Sequence, residues 1–191
     1  MSHPAADKYP PNGGGRRGIP WRLLGWGTAA ALLLLPLIAM QFTDDVDWTG
    51  SDFAFAAILI GGVGLGLEFA FRRSVDPAYR IATGLALAAT FFLIWIDGAV
   101  GIIGDTPTLA LLAGPAVALV GSLLAGLRPG GMAFAMIAAA VLQAVAPAIA
   151  QFMEPGLGAA VWAPEVIAST VVLAGMWLVS AGLFRKAAAR S

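Results

Sequence analysis

The chain has no cysteine and one histidine, His3. Disulfides, iron–sulfur clusters and thiol catalysis are therefore excluded. His3 lies in a polar N-terminal stretch, so no imidazole is available to ligate haem inside an apolar segment, and a zinc or copper site lacks its usual ligands. Charge is scarce as well. Only 12% of the residues are Asp, Glu, Lys or Arg, about half the ~25% usual in soluble domains. The net charge is zero, which gives nucleic acid nothing to be drawn to. No Walker loop, metal-ligand cluster, Ser–His pair or GxSxG elbow occurs, so no nucleophile has a recognisable base. These absences predict no catalytic residue, no metal site, no cofactor and no nucleic-acid partner; the chain reads as a non-enzyme.

What is present is apolar. Hydrophobic residues make up 59% of the 191 positions, in continuous runs rather than the alternating ten-residue segments of a membrane β-barrel. Several runs reach the ~20 residues that an α-helix needs to cross a hydrocarbon core about 30 Å thick. Six segments are predicted, at about 21–42, 53–71, 80–103, 109–127, 132–152 and 165–184. The connections TDDVDWTGSD, RRSVDPAYR, GDTPT, RPGG and EPGLGAAVWAP are short and rich in Pro, Gly or Asp. The expected organisation is a disordered tail over 1–20, which holds four prolines and four glycines, a six-helix transmembrane domain over 21–184, and a short basic tail over 185–191.

The eleven basic residues are sorted along this pattern. Lys8, Arg16, Arg17 and Arg22 precede the first segment, Arg72, Arg73 and Arg80 flank the second connection, Arg128 lies in the fourth, and Arg185, Lys186 and Arg190 follow the last segment. With the N-terminus cytoplasmic, all of them are cytoplasmic, as the positive-inside rule requires. Asp44, Asp45, Asp47, Asp105 and Glu154 then face the other side. The expectation is an all-α polytopic bundle with both termini inside, placed in the bacterial inner membrane. GRRGIPW before an apolar run resembles a twin-arginine signal peptide, but the run exceeds a usual signal core and no small-x-small cleavage site follows. The first segment is therefore expected to be retained.

Within the segments, small residues mark where helices can approach closely, since lipid gives them no hydrophobic reason to associate. Ala110, Gly114, Ala118, Ser122 and Gly126 recur every fourth residue in the fourth segment, and Ala57, Gly61, Gly62, Gly66 and Ala70 form ridges in the second. Glu68 precedes Arg72 at i+4, the favourable order for an interfacial ion pair. Thr49 and Asp52 have capping-box-like spacing. Trp21, Trp26, Trp48 and Trp162 suit aromatic belts.

Three polar residues inside the segments are candidates for a ligand. Gln143 falls near mid-membrane, and Pro147 has no N–H to return to its carbonyl. Thr90 is expected at similar depth. A hydrogen bond between helices explains both more simply than a polar patch lining a cavity. Asp97, in WIDGAVGIIGD, is either an intramembrane acid or a carboxylate that has reached the outer interface. The expectation is the interface, because about 24 Å of helix already separates it from Ile81.

The runs DVDWTGSDF and YRIATGLALAATFFLIWIDGAVGIIGD resemble a family of small bacterial multi-pass inner-membrane proteins to which no activity is attached. The likeness is strongest over 46–105 and looser beyond. That family often carries Asn at the position of Asp97, which implies that no obligatory proton carrier is needed there. Together these readings favour a non-enzymatic accessory or interaction subunit, with the lipid bilayer and another membrane protein as partners. The alternative is a small-solute transporter or substrate-binding component using Gln143, Thr90 and Asp97. The oligomeric state is left open.

Overall fold

In this computed structural model, residues 21–100, 109–153 and 155–190 are described, with the backbone alone at 21, 97–100, 109–111, 157 and 159–161. All regular structure among them is helical. The six α-helices are α1 (Trp21–Ala39), α2 (Gly50–Arg73), α3 (Pro77–Val100), α4 (Leu109–Leu124), α5 (Pro129–Met153) and α6 (Pro164–Ala188). Five of them, all but α4, are long and apolar enough to cross a membrane. The 16 residues of α4 rise only about 24 Å. The expected 1–20 tail lies outside the described residues.

α2, α5 and α6 overrun the apolar segments that announce them, for local reasons, whereas α1 and α4 each end three residues short of theirs. α2 begins at Gly50 because the backbone N–H and the hydroxyl of Thr49 both donate to the Asp52 carboxylate at 2.7 Å, which satisfies a donor that a helix start leaves orphaned. It continues through Arg72 and Arg73, whose long side chains can leave an apolar environment while the backbone stays helical. α5 and α6 each open on a proline, which needs no intrahelical N–H partner in the first turn. The connection before α6 is a 3₁₀ helix over Pro155–Trp162, kinked at Gly158 where φ is 54°.

The described residues fall into two units, divided after Trp48. The first contains α1, an apolar helix with Pro36 in its interior and Thr28 donating to the Leu24 carbonyl at 2.8 Å. The second is a bundle in which α5 packs on both α4 and α6, α6 also packs on α3, and α3 packs on α2. The neighbour order is thus α4, α5, α6, α3, α2. α6 returns to lie between two helices that precede it in the chain. Its buried stripe, Leu173, Trp177, Ser180, Ala181, Phe184 and Ala187, follows the helical period and faces both neighbours.

The α4–α5 contact is close. A Cβ placed at Gly121 would lie 2.8 Å from the Ala135 Cβ, one at Gly131 would run into the Ala125 Cβ, and one at Gly114 would lie 3.4 Å from the Ala139 carbonyl oxygen. The pairs 131–125, 121–135 and 114–143 run in opposite directions along the two helices, so α4 and α5 are antiparallel and touch along nearly the whole of α4. On α2, a Cβ at Gly66 would lie 2.8 Å from a Leu87 methyl of α3, a flexible neighbour that can yield.

These contacts predict opposite signs for the same exchange at two glycines. Gly131→Ala should lower the melting temperature in detergent, at a cost of about 1–3 kcal/mol for overpacking. Gly175→Ala, where a new methyl meets nothing within 4 Å, should raise it through a stabilisation of roughly 0.5–1 kcal/mol, because helical alanine loses less chain entropy than glycine. Differential scanning fluorimetry on both variants checks the pair; equal shifts would contradict the packing.

Candidate functional site

Gln143 sits fourteen residues after Pro129 in α5, a rise of about 21 Å that places it near the middle of a spanning helix. It is 1% exposed. Its side chain fills the space opposite Gly114, where a built Cβ would lie 3.5 Å from Oε1 and 4.0 Å from the Gln143 Cβ. The missing side chain at 114 is what makes room for an amide between α4 and α5. Oε1 has no hydrogen-bond partner.

A second unsatisfied group lies in the neighbouring helix. Trp177 of α6 is fully buried and its Nε1–H also has no partner. Gly130 of α5 lies beside Ala188 of α6, with a built Cβ 3.9 Å from the Ala188 Cβ. Counting back along the antiparallel pair brings Trp177 within about one turn of the level of Gln143. The core of the bundle therefore holds one buried acceptor and one buried donor at similar depth, each of which costs ~1–3 kcal/mol while unpaired. One turn further along α6, Ser180 is also fully buried, but its hydroxyl donates 2.9 Å to the Ala82 carbonyl of α3.

The other residues singled out in the sequence are dispersed. Thr90 bonds within its own helix, donating to the Ala86 carbonyl at 3.1 Å, and no hydrogen bond joins it to Gln143. Asp97 lies in the last turn of α3, twenty residues after Pro77, so its backbone is about 30 Å along the helix; its side chain lies outside the described residues. Ala118 and Ser122 are buried on α4, as is Gly114, whereas the side chain at Ala110 lies outside the described residues. Glu68 is buried and pairs with the exposed Arg72 one turn on.

Gly126 and Gly62 have other surroundings. Gly126 lies beyond the end of α4 and is exposed, with φ of 60°. Its N–H bonds to the Leu123 carbonyl and that of Leu127 to the Ser122 carbonyl, both at 2.9 Å. This is a Schellman cap, which takes glycine for its left-handed conformation; the four-residue spacing on α4 ends in a turn. Gly62 is exposed, and a Cβ there or at Gly61 would meet nothing within 4 Å.

Sequence reasoning singled out Gln143 by its depth and Pro147 but missed Trp177 and Ser180. Both lie on the apolar stripe of α6, and Ser180 is the one hydroxyl in the run Leu173–Trp177–Ala181–Phe184–Ala187. That interruption is a signal that the helical period could have carried.

Replacing an unpaired buried group with an apolar one of similar shape removes its desolvation penalty, so Gln143→Met should raise the melting temperature. Ser180→Ala should lower it, through loss of the ~0.6 kcal/mol typical of a membrane hydrogen bond. Thermal unfolding in detergent checks both; a Gln143→Met variant that melts earlier would show that the amide is satisfied. Comparison with known proteins finds no matching protein family, no matching curated protein and no matching solved structure.

Proposed function

We propose that the chain is an integral protein of the bacterial inner membrane, with six spans and both ends in the cytoplasm. Five apolar helices of spanning length support the membrane reading. For orientation, the support is charge. The C-terminal ends of α2, α4 and α6 share one end of the bundle with the starts of α3 and α5, because Arg73, Tyr79, Arg128 and Arg190 line one cavity there. Arg72, Arg80, Arg185 and Lys186 belong to the same helix ends. The opposite helix ends carry Asp52 and Glu165. A basic end of this kind faces the cytoplasm under the positive-inside rule.

In this reading the protein is non-enzymatic and acts as an accessory subunit that docks another membrane protein. The observation that carries it is the outer face of α2. Among the described helices of its own unit, α2 packs extensively only on α3, and it leaves Phe55, Ile58, Leu65 and Phe69 exposed around the open Gly61–Gly62 step. Two consecutive glycines between large apolar side chains form a notch into which the backbone of another helix can settle closely.

A photo-crosslinking residue introduced at Ile58 or Leu65 in living cells should yield one discrete protein adduct. Gly62→Leu should remove that adduct without lowering the protein's level, and a probe at Val141 of α5, also exposed, should give none. Adducts to lipid alone from all three positions would overturn the docking role. A second reading, transport of a small hydrogen-bonding solute, is favoured by the unpaired Gln143 Oε1 and Trp177 Nε1. It would be supported instead if proteoliposomes re-swelled in glycerol or urea and lost that permeability in Gln143→Met.

A further inference from the structure

At the basic end of the bundle the α2–α3 turn, the α4–α5 turn and the end of α6 line an open cavity of about 280 Å³. Three arginines line it, each from a different part of the chain: Arg73 at the end of α2, Arg128 between α4 and α5, and Arg190 after α6. Asp76 is the single carboxylate in the lining, so the cavity carries an excess of two positive charges. We propose that it is a binding site for a phosphate group, carried either by a lipid headgroup or by a soluble phosphate.

The arginines have little else to hold. Among the described residues the Arg128 side chain makes no hydrogen bond or ion pair, although it is one of the cavity-lining groups. Arg73 reaches only the Gly126 carbonyl, at 3.5 Å, and Arg190 approaches Asp76 no closer than 3.8 Å. The neighbouring cations behave differently. Arg72 pairs with Glu68. Arg80 donates to the Ser74 and Phe71 carbonyls at 2.7 and 3.1 Å and stacks over the Phe71 ring at 4.6 Å. Three like charges gathered without full compensation repel one another, and an anion shared between them converts that repulsion into charge-assisted hydrogen bonds. Guanidinium groups match phosphate oxygens in pairs, which favours phosphate over a monovalent halide.

The frame around the cavity is fixed. The Schellman turn places Gly126 and Leu127 at consecutive positive φ angles, 60° and 58°. Leucine takes that conformation only at some cost. The turn presents one carbonyl to Arg73 and the next to the Tyr79 hydroxyl, at 3.4 Å. Tyr79 is buried and its ring meets Phe184 edge-on at 5.4 Å. Val75, Leu127 and Pro129 supply an apolar flank beside the charges, the combination expected where a headgroup and the start of its acyl chains sit together.

The test uses the full-length protein in two arms. In detergent, inorganic phosphate and glycerol phosphate are titrated against thermal stability at constant ionic strength. In nanodiscs, phosphatidylglycerol is compared with phosphatidylcholine, with retained lipid counted by native mass spectrometry. At least one arm should show saturable binding. Arg128→Gln, which removes a side chain without structural contacts, should weaken it by about tenfold, the loss of one strong charge-assisted contact. Lys186→Gln, an equal loss of charge on a residue outside the cavity, should leave it unchanged. Binding in the detergent arm identifies a soluble phosphate as sufficient, and binding only in nanodiscs identifies the lipid headgroup. Absence of binding in both arms, or equal weakening by Arg128→Gln and Lys186→Gln, would overturn the site.

Discussion

Lipid tails are as apolar as leucine, so helices in a bilayer gain nothing by hiding hydrophobic faces from it. What holds them must come from the closeness of their contact. In this bundle that closeness is supplied where α4 meets α5, at Gly114, Gly121 and Gly131, positions where even a methyl group would press on the neighbouring helix. Dispersion energy falls off so steeply with separation that a gap of half an ångström forfeits a large part of it. The absence of side chains at these positions is therefore a cohesive feature. α5 in turn is the helix against which α6 rests, and α6 carries α3 and then α2. A swelling of the α4–α5 seam would be felt through every later contact.

The same economy of space governs the polar groups. Gln143 can occupy the core because Gly114 leaves it room, and Ser180 because a carbonyl of α3 stands 2.9 Å away. The difference between them is satisfaction. Ser180 ties α6 to α3, whereas Gln143 Oε1 and Trp177 Nε1 are unpaired costs within an otherwise small-residue core. Proteins retain such costs where a function uses them. At the basic end the imbalance is one of charge, three guanidinium groups around one carboxylate. The two imbalances are chemically independent, one neutral and deep in the bundle, the other cationic and at its surface.

Much of the helical layout was legible in the sequence, because apolar runs of spanning length, prolines and caps act locally. Segment centres are readable from hydropathy alone. Their ends are less so, since Arg72, Arg73, Arg185 and Lys186 look like loop residues yet continue their helices. Gly114, Ala118 and Ser122 of the α4 ridge are buried, while Gly126 at the same spacing serves a turn; a four-residue period cannot tell a packing glycine from a capping one. The cavity at the basic end was not legible. Arg73, Arg128 and Arg190 are separated by more than fifty residues at each step, and only the neighbour order of the bundle brings them together. Nor could composition reveal that Thr90 would bond to its own helix rather than to Gln143.

The bundle depends on the α4–α5 seam, and the lack of native cysteine makes that seam directly accessible to paired cysteine cross-linking. The Cβ positions of residues 114 and 143 are 4.0 Å apart, within the ~3.5–4.5 Å span of a disulfide. In isolated membranes treated with a mild oxidant, the double variant Gly114→Cys/Gln143→Cys should form an intramolecular bridge, seen as a reducible mobility shift after cleavage between the two helices. Leu119→Cys/Gln143→Cys, which uses an exposed position on α4, should not. Bridging in neither pair, or equally in both, would show that α4 and α5 do not meet along this face, and the packing derived from it would fail.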